Sequence, residues 1–185
     1  MRADMERPMV FKLRISESQI SRWAERYSYT ASDGRLRELV RPAVVARGFL
    51  KRQEFLEISE WKTQRTKPRC AQNDAFTIRT VTRAAFSMTD EPLKMDLLRT
   101  LAGVEWPTAS TLLHFCDRRS YPILDYRALW SLGYSKPPYY TMQFWVQYLA
   151  FTRDLARRLK VDIRTLDRAL WQYSKERQRP DSTPA

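Results

Sequence analysis

The chain has 185 residues, 43% of them apolar, enough for one packed domain or two small lobes that share a core. Its 33 Lys and Arg against 21 Asp and Glu give a net charge of +12, which suits a polyanionic partner because each cation set against a phosphate releases a counterion. The absence of any run of about 18 apolar residues excludes a spanning helix, and two cysteines with one histidine are too few for a four-cysteine zinc or iron–sulfur site.

Four glycines and few alternating β-branched runs predict an all-α multi-helix bundle with short connections. Met1 to Arg14 mixes charges without an apolar signal core and reads as the start of a cytoplasmic protein, with Val10 to Ile15 a short extended lead-in. Ser16 to Tyr27 reads as a first helix, with Ser16 and Gln19 spaced as a capping box. Asp33 is placed to cap a second, carrying Leu36, Leu39, Val40, Val44 and Val45, bent or divided at Pro42 and ended by Gly48. A third runs from Lys51 to Trp61, and Thr63 to Arg69 is a polar, basic loop. Asn73 or Asp74 opens a fourth, with Phe76, Ile78, Val81, Ala85 and Phe86 for the core. Thr89-Asp90-Glu91-Pro92 is a start signal for a fifth, reaching Leu101. After a tight turn at Ala102 to Trp106, a sixth runs from Pro107 to Phe115. Tyr121 to Leu124 is extended, and Asp125 opens a seventh helix ending near Gly133. Pro137-Pro138 breaks the chain before a long helix from Thr141 to Leu159, and Asp162 caps the last. Residues 1–175 are thus read as a single compact helical domain, with a cleft if it divides into two lobes. Residues 176–185, polar with two prolines, are read as a disordered tail.

The turn after Leu101 bears most on function. It needs glycine where φ is positive or backbones pass closely, and Gly103 is there. The first amides of the helix that follows lack intrahelical partners and can face an anion such as a DNA phosphate. An ordinary packed turn built on Leu101, Val104 and Trp106 is the alternative. The run Leu101-Ala102-Gly103-Val104-Glu105-Trp106-Pro107-Thr108-Ala109-Ser110 resembles the helix-hairpin-helix of base-excision DNA glycosylases related to endonuclease III and the 8-oxoguanine glycosylases, which reads Leu-Pro-Gly-Val-Gly-x-Lys-Thr-Ala. Eighteen residues beyond Pro107, at the separation seen in endonuclease III, stands Asp125 in Tyr121-Pro122-Ile123-Leu124-Asp125-Tyr126-Arg127.

The resemblance implies a DNA glycosylase-like bundle acting on double-stranded DNA as a monomer, without a membrane. It implies base excision in DNA repair, hydrolysing the N-glycosidic bond of a modified or damaged base. Gly103, Glu105, Trp106 and Thr108 would lie at the DNA. Glu105 replaces the second hairpin glycine, and Pro107 replaces the lysine that attacks sugar in bifunctional members, so a monofunctional enzyme is implied. No cofactor is called for, although the hairpin leaves room for a monovalent cation. Asp125 would be the catalytic carboxylate, stabilising positive charge on the sugar and orienting water. Simple capping of the next helix is its other role.

The segment Glu60 to Arg69 offers an aromatic residue followed by four basic ones, suited to phosphates and a stacked base. Gln64 loosely resembles the wedge of endonuclease III, and Arg65, Lys67 and Arg69 would contact backbone. Lys62, if it reaches Asp125, could replace the missing hairpin lysine; a solvated basic loop is the alternative. Trp61, Tyr126 and Trp130 are the candidate walls of a base pocket. Trp23, Trp145 and Trp171 fall in helical stripes and are assigned to the core, His114 to a structural hydrogen bond, and Cys116 to an inert buried site. A helix-hairpin-helix protein that binds DNA without chemistry is the main alternative reading. A partner-binding or defence component that lost its site is the third.

Overall fold

The computed structural model describes residues 10–136 and 138–178, so the expectations for residues 1–9, Pro137 and most of the tail fall outside the described residues. Helices and turns make up the described chain, with no strand among them. The helices are α1 (Ile20–Glu25), α2 (Ala31–Arg35), α3 (Arg41–Arg47), α4 (Arg52–Lys62), α5 (Lys67–Cys70), α6 (Ala75–Ser87), α7 (Glu91–Arg99), α8 (Trp106–Cys116), α9 (Tyr126–Ser131), α10 (Met142–Leu159) and α11 (Ile163–Arg177). One continuous apolar core extends from Ile15 through Phe55, Leu112, Leu129 and Trp145 to Leu170. No helix of the described residues is long and apolar enough to cross a membrane.

Side-chain caps start most of these helices. Asp74, Asp90, Thr141 and Asp162 each accept a hydrogen bond from the amide three residues on, relieving a donor that the helix itself leaves unpaired. Two starts differ from expectation. Ser16 makes no cap; its hydroxyl meets Ser18, and a 3-10 turn at Glu17–Gln19 leads into α1. Asp33 is not the cap of α2 but the third helical residue. Thr30, in extended backbone, accepts from the Asp33 amide while the Asp33 carboxylate accepts from the Thr30 amide, a reciprocal capping box.

Pro42 neither divides nor sharply ends the second helix. A π-helical turn, Leu36–Val40, precedes it, and proline falls in the first turn of α3, where a missing N–H costs least. That wider turn changes the helical phase, and Leu39, expected inside, is 60% exposed. Phe76, also expected inside, lies exposed on the first turn of α6, while Ile78 and Ala85 are fully buried. The basic segment after Thr63 is not a loop but a 3-10 turn, Gln64–Thr66, leading into α5. At the C-terminal end α11 continues through Arg177, so Glu176 and Arg177, expected in the tail, are helical.

The lead-in is neither helix nor strand, and it is anchored: the Lys12 and Arg14 amides donate to the Leu132 and Ser131 carbonyls at the end of α9. Beneath the α7–α8 pair, Lys94 and Asp117 form a fully buried ion pair.

Candidate active site

Asp125 owes its position to the segment before it. Tyr121 to Leu124 is extended and buried, yet it has no strand beside it to satisfy its peptide groups. Side chains do so instead. His114 Nδ1 donates to the Tyr121 carbonyl (2.7 Å), and the Tyr148 hydroxyl donates to that of Ile123 (2.9 Å). The Ile123 amide donates to Asp167 Oδ2 (3.1 Å), and the Leu124 amide to Ser110 Oγ (2.9 Å). Helices α8, α10 and α11 thereby clamp this strap, and its last residue, Asp125, emerges at the start of α9.

There Asp125 caps α9 by accepting from the Arg127 amide (2.9 Å) through Oδ1. Its Oδ2 receives Lys62 Nζ, from the last turn of α4, at 2.6 Å. The two side chains keep only 9% and 19% of their surface exposed. Burial raises the carboxyl pKa, but the charge and hydrogen bond of Lys62, with the Arg127 amide and guanidinium, outweigh it and hold Asp125 below its ordinary value. Asp125 is therefore an ionised carboxylate at neutral pH, and capping and ion pairing coexist.

The pair sits in a cleft of about 610 Å³. Trp61 and Tyr126 line it, as expected from sequence, together with Tyr27 and Trp171. Trp61 is braced edge-on by Phe115 (5.1 Å), and Trp171 by Tyr27 (5.4 Å). The Arg127 guanidinium lies over both Tyr126 and Trp171. Trp171, expected in the core, is instead a cleft wall; Trp23 and Trp145 are core residues. Trp130 does not reach the cleft. It packs on Tyr173 and under Arg14, whose Nε donates to the Trp130 carbonyl, because the turn of α9 aims it at the N-terminal lead-in.

Helix α11 supplies residues that sequence reasoning passed over. Arg164, Asp167, Arg168, Trp171 and Lys175 all line the cleft. Arg164 donates to Asp33 (3.0 Å), itself fixed by Thr30 and Tyr27. The signal was legible: Arg164, Asp167, Arg168 and Trp171 repeat at i, i+3, i+4 and i+7, a second stripe beside the apolar Ile163, Leu166 and Leu170.

Two dry groups flank the strap. His114 is pushed down to about 3 by burial first and by Arg164 next, so it is a neutral donor to Tyr121, the structural role expected of it. Burial of the Cys116 thiol raises its pKa, favouring the inert protonated form.

The turn between α7 and α8 has Gly103 at φ +78°, as its sequence requires. A Cβ there would stand 2.8 Å from the Cys70 amide nitrogen, so α5 packs against the turn. Asn73 completes the contact, accepting from the Ala102 amide and donating to the Ala102 carbonyl, both at 2.9 Å. This brings Arg69 against the α7–α8 turn; Arg65, Lys67 and Arg69 are all exposed. Three of the expected DNA contacts at the turn are corrected. Gly103 is covered by α5, Thr108 is 2% exposed, and Trp106 lies beneath the Arg99 guanidinium at 3.9 Å. Glu105 alone of the four is exposed. Gln64 sits at the cleft edge, bonded to Glu60, which Lys67 also contacts at 2.9 Å. No group of three or more His, Cys, Asp or Glu suited to a metal occurs among the described residues.

No family model, curated protein or solved structure matches the chain.

Proposed function

We propose that the chain is a monofunctional DNA glycosylase, hydrolysing the bond between deoxyribose and a modified base. The observation that carries this reading is the ionised Asp125 carboxylate, fixed by Lys62 and the Arg127 amide in an aromatic-walled cleft. When a glycosidic bond breaks, the electron pair leaves with the base and positive charge builds on the sugar. A nearby carboxylate stabilises that charge and takes the proton of the attacking water. Lys62 holds Asp125 in its charged state. Trp61, Trp171 and Tyr126 offer the flat faces between which an extruded base can stack. Arg65, Lys67 and Arg69, exposed on and just before α5, supply charge for the phosphate backbone. Pro107, where the resembling family has lysine, fits water rather than an amine at that position as the nucleophile.

The test incubates the protein with duplexes carrying single modified bases, and abasic sites are revealed by alkali. Release by the native chain is expected to fall at least about 1,000-fold in Asp125→Asn, with duplex affinity kept within about threefold, in line with the loss of a charge-stabilising group. Binding with no abasic product from any duplex would assign the chain to DNA binding without chemistry.

A further inference from the structure

Besides Asp125, the carboxyls of Asp33, Glu60 and Asp167 line the cleft; Arg164 pairs with Asp33 and Lys67 with Glu60, which leaves Asp167 without a cationic hydrogen-bond partner. Asp167 lies on α11 with only 6% of its side chain exposed, yet it lines the same cleft as Asp125. Its Oδ2 accepts the Ile123 amide, and Oδ1 has no hydrogen-bond partner among the described residues. Enclosure of this degree disfavours a negative charge on the carboxyl.

We propose that Asp167 is the proton donor of the cleft, delivering its O–H to an acceptor atom of the departing base while Asp125 attends to the sugar. The inference rests on the glycosylase reading and deepens it. As the C1′–N bond breaks, its electrons pass to the base, and the Asp167 proton neutralises them. Water supplies the hydroxyl at C1′ and gives up a proton through Asp125. Solvent then returns a proton to Asp167 and the sum is simple hydrolysis.

The surroundings of Asp167 agree with the role. Burial lifts its pKa to about 8, against the pull of Arg164 on its own helix, the Ile123 amide and Lys62 from α4. Asp125 adds to the lift. His114 from α8 stands 3.4 Å away but is neutral, and Tyr148 from α10 is an un-ionised phenol whose pKa burial raises well above its usual value. Asp125 and Asp167 are thereby driven apart within one cleft, the first held charged and the second pushed toward its neutral form. That is how acid and base tasks are divided between like groups.

The test uses the full chain with carbon-13 in its aspartate carboxyls, Asp167 being assigned by its absence in Asp167→Asn. The expected signal is a protonated carboxyl at neutral pH that titrates near 8. It should shift on adding at least one duplex carrying hypoxanthine, 8-oxoguanine or uracil, and not with the same duplex carrying a tetrahydrofuran abasic site. An Asp167 already ionised at neutral pH overturns the proposal, and needs no variant beyond the assignment. Duplexes that bind but leave the signal unmoved overturn it while leaving the glycosylase reading intact. Failure of every duplex to bind overturns both. Where release is measurable, Asp167→Asn, which keeps the shape and a donor N–H, should lose at least about tenfold in single-turnover rate, within the usual reach of a general acid. It should also lose the alkaline fall in rate; an unchanged pH profile would make Asp167 a structural anchor of the strap.

Discussion

Lys62 and Asp125 show how a single side chain can decide the charge of another. The Asp125 pKa is depressed below 3.8, so the group stabilises the fold above that value and the benefit is lost as pH falls through the folded pKa. Asp167 has the opposite sign. Its folded pKa, about 8, exceeds the unfolded one, so stability declines as pH rises from about 3.8 and levels off past 8. Replacing Lys62 by Met should turn Asp125 into a group of the second kind, because burial then dominates. The variant is expected to lose about 3 kcal/mol at neutral pH, the lower end of the cost of orphaning a buried charge. Its deficit against the native chain should shrink on acidification, as read by urea melts across pH. A deficit independent of pH would show that the ion pair does not set the ionisation of Asp125.

At the scale of the elements, the turn between α7 and α8 allows a controlled comparison. Gly103 and Gly48 have nearly the same φ, +78° and +79°. A Cβ at Gly48 meets nothing within 4 Å, whereas one at Gly103 strikes the Cys70 backbone and Sγ and the Arg69 Cβ. Gly48→Ala should cost about 1 kcal/mol, the penalty of left-handed backbone alone. Gly103→Ala should add about 1–3 kcal/mol for overpacking and displace α5. Equal melting shifts for the two variants would mean that α5 yields freely. Local signals made these elements legible: caps at Asp74, Asp90, Asp125, Thr141 and Asp162, and glycines after α3 and in the α7–α8 turn. Short-range competition hid the rest. Thr30 outcompeted Asp33 as the cap, and the π turn before Pro42 shifted the helical phase and exposed Leu39.

For the whole molecule, the contents of the cleft were only half legible. Asp125, Lys62, Trp61 and Tyr126 stood out because each lies beside a recognisable start or end of a helix. Asp33, Arg164 and Asp167 did not, because their meaning depends on α11 folding back beside the N-terminal helices, a placement that no local pattern carries. Trp130 and Trp171 were exchanged for the same reason. Both sit on short-period helical stripes, and only packing decides which faces solvent-filled space.

The side-chain clamp on the strap has a consequence for its motions. The Ile123 and Leu124 amides belong to no helix or sheet, so by secondary structure alone they should exchange quickly with solvent deuterium. Their acceptors, however, are Asp167 and Ser110, on α11 and α8 at the centre of the bundle. Releasing either amide requires those helices to part. Both are expected to exchange as slowly as the central residues of α8, through opening of the whole fold. Fast exchange at the two, with α8 still protected, would reveal a strap that breathes independently and an Asp125 whose position fluctuates with it.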